Sequence, residues 1–148
     1  MENRNGMEQK VKEAFLQGYD CSQVVLRHFA EKLEITEDEA NRMAACFGGG
    51  MMTGDTCGAV TGALMAIGLR YGHSSPENLK EQKAEMAEKS GQFREAFLKK
   101  HGSLICRPLL GYDLTRTEEA QKAVESGRMM ELCPGLVCDA IEILEEIL

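Results

Sequence analysis

Apolar positions recur three and four residues apart along almost the whole chain, and the period-two alternation of a half-buried strand is almost absent. The spacing predicts a first helix over about 6–17, with Val11, Ala14, Phe15 and Gly18 on one stripe and Gly18-Tyr19-Asp20 breaking it. A second helix is predicted over about 21–33, with Val24, Val25, Phe29 and Leu33 facing inward. Thr36 and Glu39 form a capping box that opens a helix through about Cys46. A glycine-rich turn follows, from Gly48 to Gly54. Positions 55–71 are then apolar on every side, which marks a buried helix. Within it Gly58, Gly62 and Ala66 recur every four residues, so one face admits a neighbouring backbone.

Ser75-Pro76 reads as a cap and first residue of a mostly polar helix to about Lys100. Gly102 ends it, with Lys99, Lys100 and His101 suiting its C-terminal dipole. Cys106-Arg107-Pro108 starts a short helix to about Leu110, and Thr115 or Thr117 caps another through about Ser126. The last helix is predicted from Cys133-Pro134 to about Leu148, with Leu136, Val137, Ala140, Ile141 and Leu144 inward. The fold class is therefore all-α: a bundle of six to eight helices around a buried Gly/Ala-rich central helix.

At 148 residues the chain reads as a single domain over 1–148, with 1–6 as a loose tail. With no Trp and nine Met, the core must be aliphatic and Met-rich. The 17 basic and 24 acidic residues give a net charge of −7. That argues against a nucleic-acid binder and gives no support for docking on an acidic membrane. The longest uncharged run, Thr56 to Leu69, falls short of the ~20 residues a spanning helix needs. MENRNGMEQK carries no apolar stretch of a secretory signal, so the expected location is the cytoplasm.

Six cysteines then change the picture: Cys21, Cys46, Cys57, Cys106, Cys133 and Cys138. In a reducing compartment such a set points to metal or redox chemistry more than to permanent disulfides. None of the spacings is CxxC, which removes the thioredoxin-type motif, zinc ribbons and covalent haem. Any cysteine site must be assembled from distant segments. Cys21, Cys57, Cys106 and Cys133 each fall at or within one turn of a predicted helix start, where free amides and the macrodipole would lower a thiol's pKa. Cys46, among Ala44, Ala45 and Phe47, reads as packing. Cys138 reads as packing or as a resolving thiol.

Other constellations carry less. Gly49 to Thr56 has the glycine spacing of a phosphate-binding loop, but Asp55 stands where the Lys belongs and no strand precedes it, so no nucleotide is expected. The glycines can turn the chain tightly, or aim backbone amides at a sulfur. His28 reads as a half-exposed side chain, His73 as a loop residue and His101 as a helix-end partner. Met51-Met52 and Met129-Met130 read as core filler or as a shield beside the cysteines.

Several stretches together resemble one family: GYDCSQVVL at 18–26, CGAVTG at 57–62, GSLICRPLLG at 102–111 and CPGLVCDAIEIL at 133–144. They are similar to the redox-active proteins of the C_GCAxxG_C_C family, which are related to the non-haem part of split-Soret cytochromes. The chain departs from the family label in that Gly58 follows Cys57 instead of preceding it. The resemblance places the family's four recurring cysteines on Cys21, Cys57, Cys106 and Cys133. It implies a redox site that could carry an iron–sulfur cluster, most simply two-iron two-sulfur, and no haem.

The combined expectation is that these four cysteines converge. They would act as ligands of a cluster or of a structural zinc, or as the catalytic thiols of dithiol–disulfide exchange. Gly50, Gly54 and Gly58 are the candidate backbone contacts. An unidentified redox partner is expected, with pairing to a second copy left open. The competing reading is a non-catalytic helical interaction module with inert, buried cysteines.

Overall fold

The computed structural model describes residues 3–148. Among them are eight α-helices, and the one β pairing is a single bridge between Thr56 and Ile105. The all-α expectation therefore holds.

Helix α1 (Arg4–Gln17) starts earlier than predicted because Asn3 Oδ1 accepts the Gly6 N–H at 2.7 Å. The loose tail read over 1–6 is thus corrected for residues 3–6, and residues 1 and 2 lie outside the described residues. Helix α2 (Cys21–His28) is capped by Asp20, whose own N–H is taken by the Gln23 side chain at 2.9 Å. It ends five residues before the predicted Leu33. The Ile35 N–H returns to the Ala30 carbonyl at 3.0 Å, and Glu34 turns left-handed at φ 61° inside that closure. Helix α3 (Glu37–Ala44) carries the predicted Thr36–Glu39 capping box, and a tight turn over Ala45–Phe47 follows it.

Helix α4 (Gly58–Tyr71) is the buried centre, packed against α2, α5 (Leu79–His101) and α8 (Arg128–Ile147). Its glycine face does what the four-residue spacing suggested. A Cβ at Gly62 would lie 2.6 Å from the Ser22 carbonyl oxygen, so the backbones of α2 and α4 nearly touch there. Ser22 is fully buried, and its hydroxyl donates to the Ala44 carbonyl at 2.8 Å. That bond lets a polar side chain sit at this junction without an unmet donor.

Ser75-Pro76 does not start α5. It lies in a turn closed by the Asn78 N–H on the Ser75 carbonyl, and the helix begins at Leu79. Phe93 and Phe97 are the buried anchors of its inner face, with ring centroids 5.9 Å apart. Helices α6 (Cys106–Leu110) and α7 (Thr117–Glu125) are short, and Gly127, left-handed at φ 75°, swings the chain into α8. Helix α8 begins at Arg128, five residues before the predicted start. Pro134 therefore sits inside it, where the missing N–H leaves the Met130 carbonyl without its usual intrahelical donor.

A charged clasp closes the molecule along α8. Arg4 contacts Asp139 at 2.7 Å and Glu142 at 2.8 Å, and His101 Nε2 lies 2.8 Å from Asp139. No described helix is long and apolar enough to cross a membrane.

Candidate functional site

Cys21, Cys57, Cys106 and Cys133 all line one cavity of about 630 Å³. They reach it from four separate segments, which are held by two local devices. The first joins Cys57 to Cys106. Around the Thr56–Ile105 bridge, the Cys57 N–H donates to the Leu104 carbonyl at 2.7 Å and the Cys106 N–H to the Asp55 carbonyl at 2.6 Å. In this antiparallel register Cys57 lies opposite Leu104 and Cys106 opposite Asp55, so the two cysteines are diagonal neighbours on one face. The second device joins Cys21 to Cys57. A Cβ on Gly58 would meet Cys21 Cβ at 3.0 Å, so only a glycine lets the start of α2 lie so close to the start of α4. Cys133 completes the set from α8.

The chain between Phe47 and Asp55 is bent into an uncommon shape to make this possible. Gly49, Gly50, Met51 and Met52 are left-handed in succession, at φ 61°, 65°, 59° and 62°, and the Asp55 N–H closes the turn on the Gly50 carbonyl at 2.8 Å. A side chain at Gly50 would meet Cys106 Cβ at 2.7 Å, so glycine serves both the backbone angle and the cysteine. Two methionines held in this region cost about 1–2 kcal/mol each.

The cavity's wall is mostly apolar. Gly48, Cys57, Gly58, Leu110 and Leu136 form its buried side. Leu16, Met52 and Val124 stand at its edge, 77%, 70% and 68% exposed. Asp20 is its one carboxylate, and burial raises that carboxyl's pKa.

Burial overrides the helix ends for three of the thiols. Cys57 is pushed up to about 12 by desolvation, which outweighs the opposing amides of Ala59 and Val60, and Cys106 is pushed up to about 11, again chiefly by desolvation. The neighbouring Cys133 thiol first, and burial second, raise Cys21 well above an ordinary thiol. The neighbouring Cys21 thiol lowers Cys133 against the pull of burial, and the Arg128 guanidinium adds to the effect. Arg128 is held in place by the Leu109 and Leu110 carbonyls, at 3.3 and 3.2 Å. The expectation that helix starts lower these thiols is therefore corrected twice. Three thiols at helix starts are raised, and the lowered one lies six residues into α8. Desolvation of a thiolate costs more than a helix end returns.

The remaining sequence candidates separate cleanly. Gly58 lines the cavity; Gly50 and Gly54 do not, and Gly54 sits under the Arg107 side chain instead. Cys138 is fully buried but faces the core beside the charged clasp, not the cavity, and burial pushes it up to about 11. Cys46, read as a packing residue, is exposed, because the turn after α3 points it outward. His28, His73 and His101 do not line the cavity, whereas Met52, Met129 and Met130 do. Sequence reasoning missed Asp20, Leu109, Leu114 and Val124. Only Asp20 carried a signal, the Asp20–Gln23 capping pair beside Cys21. Among the described residues no three Cys, His, Asp or Glu side chains are drawn together around a single ion position.

Residues 19–147 match the family described as "Putative redox-active protein (C_GCAxxG_C_C)". No curated protein and no solved structure matches the chain.

Proposed function

From the premise that the chain belongs to the C_GCAxxG_C_C family of redox-active proteins, we propose that the cavity is its redox site and that its four sulfurs hold an iron–sulfur cluster. The observation that carries this reading is the convergence of Cys21, Cys57, Cys106 and Cys133 on one largely apolar cavity. A dithiol couple needs two cysteines, and a cluster uses all four. The donor set fits: four sulfurs supply the ligand count of a two-iron or four-iron cluster. A tetrahedral zinc, with all four sulfurs ~2.3 Å from one point, fits the present arrangement less well.

When bound, a cluster supplies one-electron transfer. The chain's own residues do the rest. The bridge fixes Cys57 near Cys106, Gly58 brings Cys21 close to the start of α4, and Leu110 and Leu136 give the sulfurs a buried apolar wall. Raised thiol pKa values fit this role, because a metal core takes over the charge of thiolates that burial alone disfavours.

A second reading is dithiol–disulfide exchange between Cys21 and Cys133, favoured by the closeness of these two thiols in the cavity. Cys133, the lowered thiol, would attack a disulfide substrate and form a mixed disulfide, releasing one thiol. Cys21 would then displace the second thiol and close the protein disulfide, so two electrons and two protons pass to the substrate.

Anaerobic purification with iron and sulfide analysis and a visible spectrum separates the two. The cluster reading expects iron and sulfide in equal amounts and colour lost in Cys57→Ser. Colourless, iron-free protein that iron and sulfide fail to reconstitute, with a reversible two-electron thiol couple, would replace it with exchange. Inert thiols without metal would end both.

A further inference from the structure

The cavity is larger than its sulfurs need, and its surplus has a distinct chemistry. Its ~630 Å³ lies in the range of small-molecule sites, about 300–1,000 Å³. Away from the cysteines it is lined by Phe15, Leu109, Leu114, Met129 and Leu132, and no Lys, Arg or His lines it. Its edge is formed by Leu16, Met52 and Val124, three of the most exposed large apolar side chains of the described residues. Such side chains scattered singly need no explanation, but here they share one opening.

We infer that this cavity binds an uncharged, largely apolar small organic molecule, entering between Leu16, Met52 and Val124 and lying beside Cys106 and Cys133. The charge pattern supports the class. An anion would meet Asp20 with no lining cation to receive it, and a polar molecule would lose its hydration to walls that return few hydrogen bonds. The flexible thioethers of Met52, Met129 and Met130 suit guests of varied outline. Binding stands on the cavity alone. Only the guest's role, as electron donor or acceptor to the sulfurs, rests on the redox reading above.

The test is fluorescence titration of the full chain with N-phenyl-1-naphthylamine, an uncharged apolar probe. Wild type should bind one probe per chain, saturably. The double variant Leu16→Asp/Val124→Asp changes only exposed positions and should bind it at least about tenfold more weakly. Its circular dichroism should match wild type. Wild-type protein prepared without iron and sulfide should keep the probe site even though it is colourless, so probe binding and cluster loading report separately. No saturable binding by wild type, or equal binding by the double variant, would overturn the inference. Probe binding by protein that iron and sulfide fail to reconstitute would end the cluster reading and leave this one standing.

Discussion

The close approach of α2 to α4 at Gly62 makes the sharpest prediction. In Gly62→Ala the new methyl would lie 2.6 Å from the Ser22 carbonyl oxygen and 3.0 Å from Ser22 Cα. Both obstacles are backbone, so no rotamer change relieves them. Overpacking of this kind costs typically 1–3 kcal/mol, and with rigid obstacles the upper end applies. Alanine returns about 1 kcal/mol through its better helix propensity. The net loss is about 2 kcal/mol, which for a chain of this size lowers Tm by roughly 4–8 °C. Gly68 provides the control. It lies in the same helix, and a Cβ there meets nothing within 4 Å. Gly68→Ala should therefore gain about 0.5–1 kcal/mol. Urea and thermal unfolding of the two variants, side by side, decide the matter. A Gly62→Ala protein as stable as Gly68→Ala would refute the claim that α2 and α4 are locked together at Ser22. The same variant should also weaken the site, because the displaced helix starts at Cys21.

Further predictions concern the strained turn, the clasp and the thiols. Met52→Gly relieves a left-handed residue that is 70% exposed, and should raise stability by about 1 kcal/mol in urea unfolding. Asp139 is pushed up by burial, but the Arg4 hydrogen bond and the charges of Arg4, Lys100 and His101 hold it below its ordinary value of 3.8. A depressed carboxyl adds stability that is present above its unfolded pKa and lost as pH falls below about 4. Wild type should therefore lose stability relative to Asp139→Asn as pH falls from 5 toward 3, measured by urea midpoints. At pH 7 Asp139→Ala should cost about 2–3 kcal/mol, less than a fully buried pair because the Arg4 side chain is 35% exposed. In metal-free protein, alkylation followed by mass spectrometry should label exposed Cys46 first, and Cys57 and Cys138 only on unfolding.

The sequence made the helices legible because nearly every one carries its apolar stripe at a helical spacing and a cap with a chemical cause. The Thr36–Glu39 box and the Gly58–Gly62–Ala66 face came through intact. The start of α8 did not. Pro134 imitates a first-turn residue, and the real signal, Gly127 in a left-handed conformation, is visible only once the chain's direction is known. Choosing four cysteines of six was legible through the family's motifs. Their convergence was expected too, but the device that makes it was not legible, since it is a bridge between residues 49 apart, Thr56 and Ile105. The thiol pKa values were misjudged for a related reason. Position on a helix can be read from sequence, but depth below the surface cannot, and depth decides the sign for Cys57 and Cys106, while the neighbouring Cys133 thiol leads at Cys21. The apolar wall of Leu109, Leu114 and Val124 came from two short helices and the turn between them, whose patterns look like ordinary surface.

The Thr56–Ile105 bridge also sets a clock. Everything between its two ends, including the whole of α4 and α5, is an excursion that leaves Cys57 and returns at Cys106. Local helices form quickly, and a closure over so many residues waits until α4 and α5 have packed, because the chain entropy of the loop is lost before the contact repays it. The four sulfurs thus cannot gather on a partly made chain. During synthesis Cys21 and Cys57 emerge long before Cys106 and Cys133, and no assembled site exists for a stray metal ion to capture. Order of assembly itself, with no chaperone invoked, delays the four-cysteine cavity until the helices around it are built.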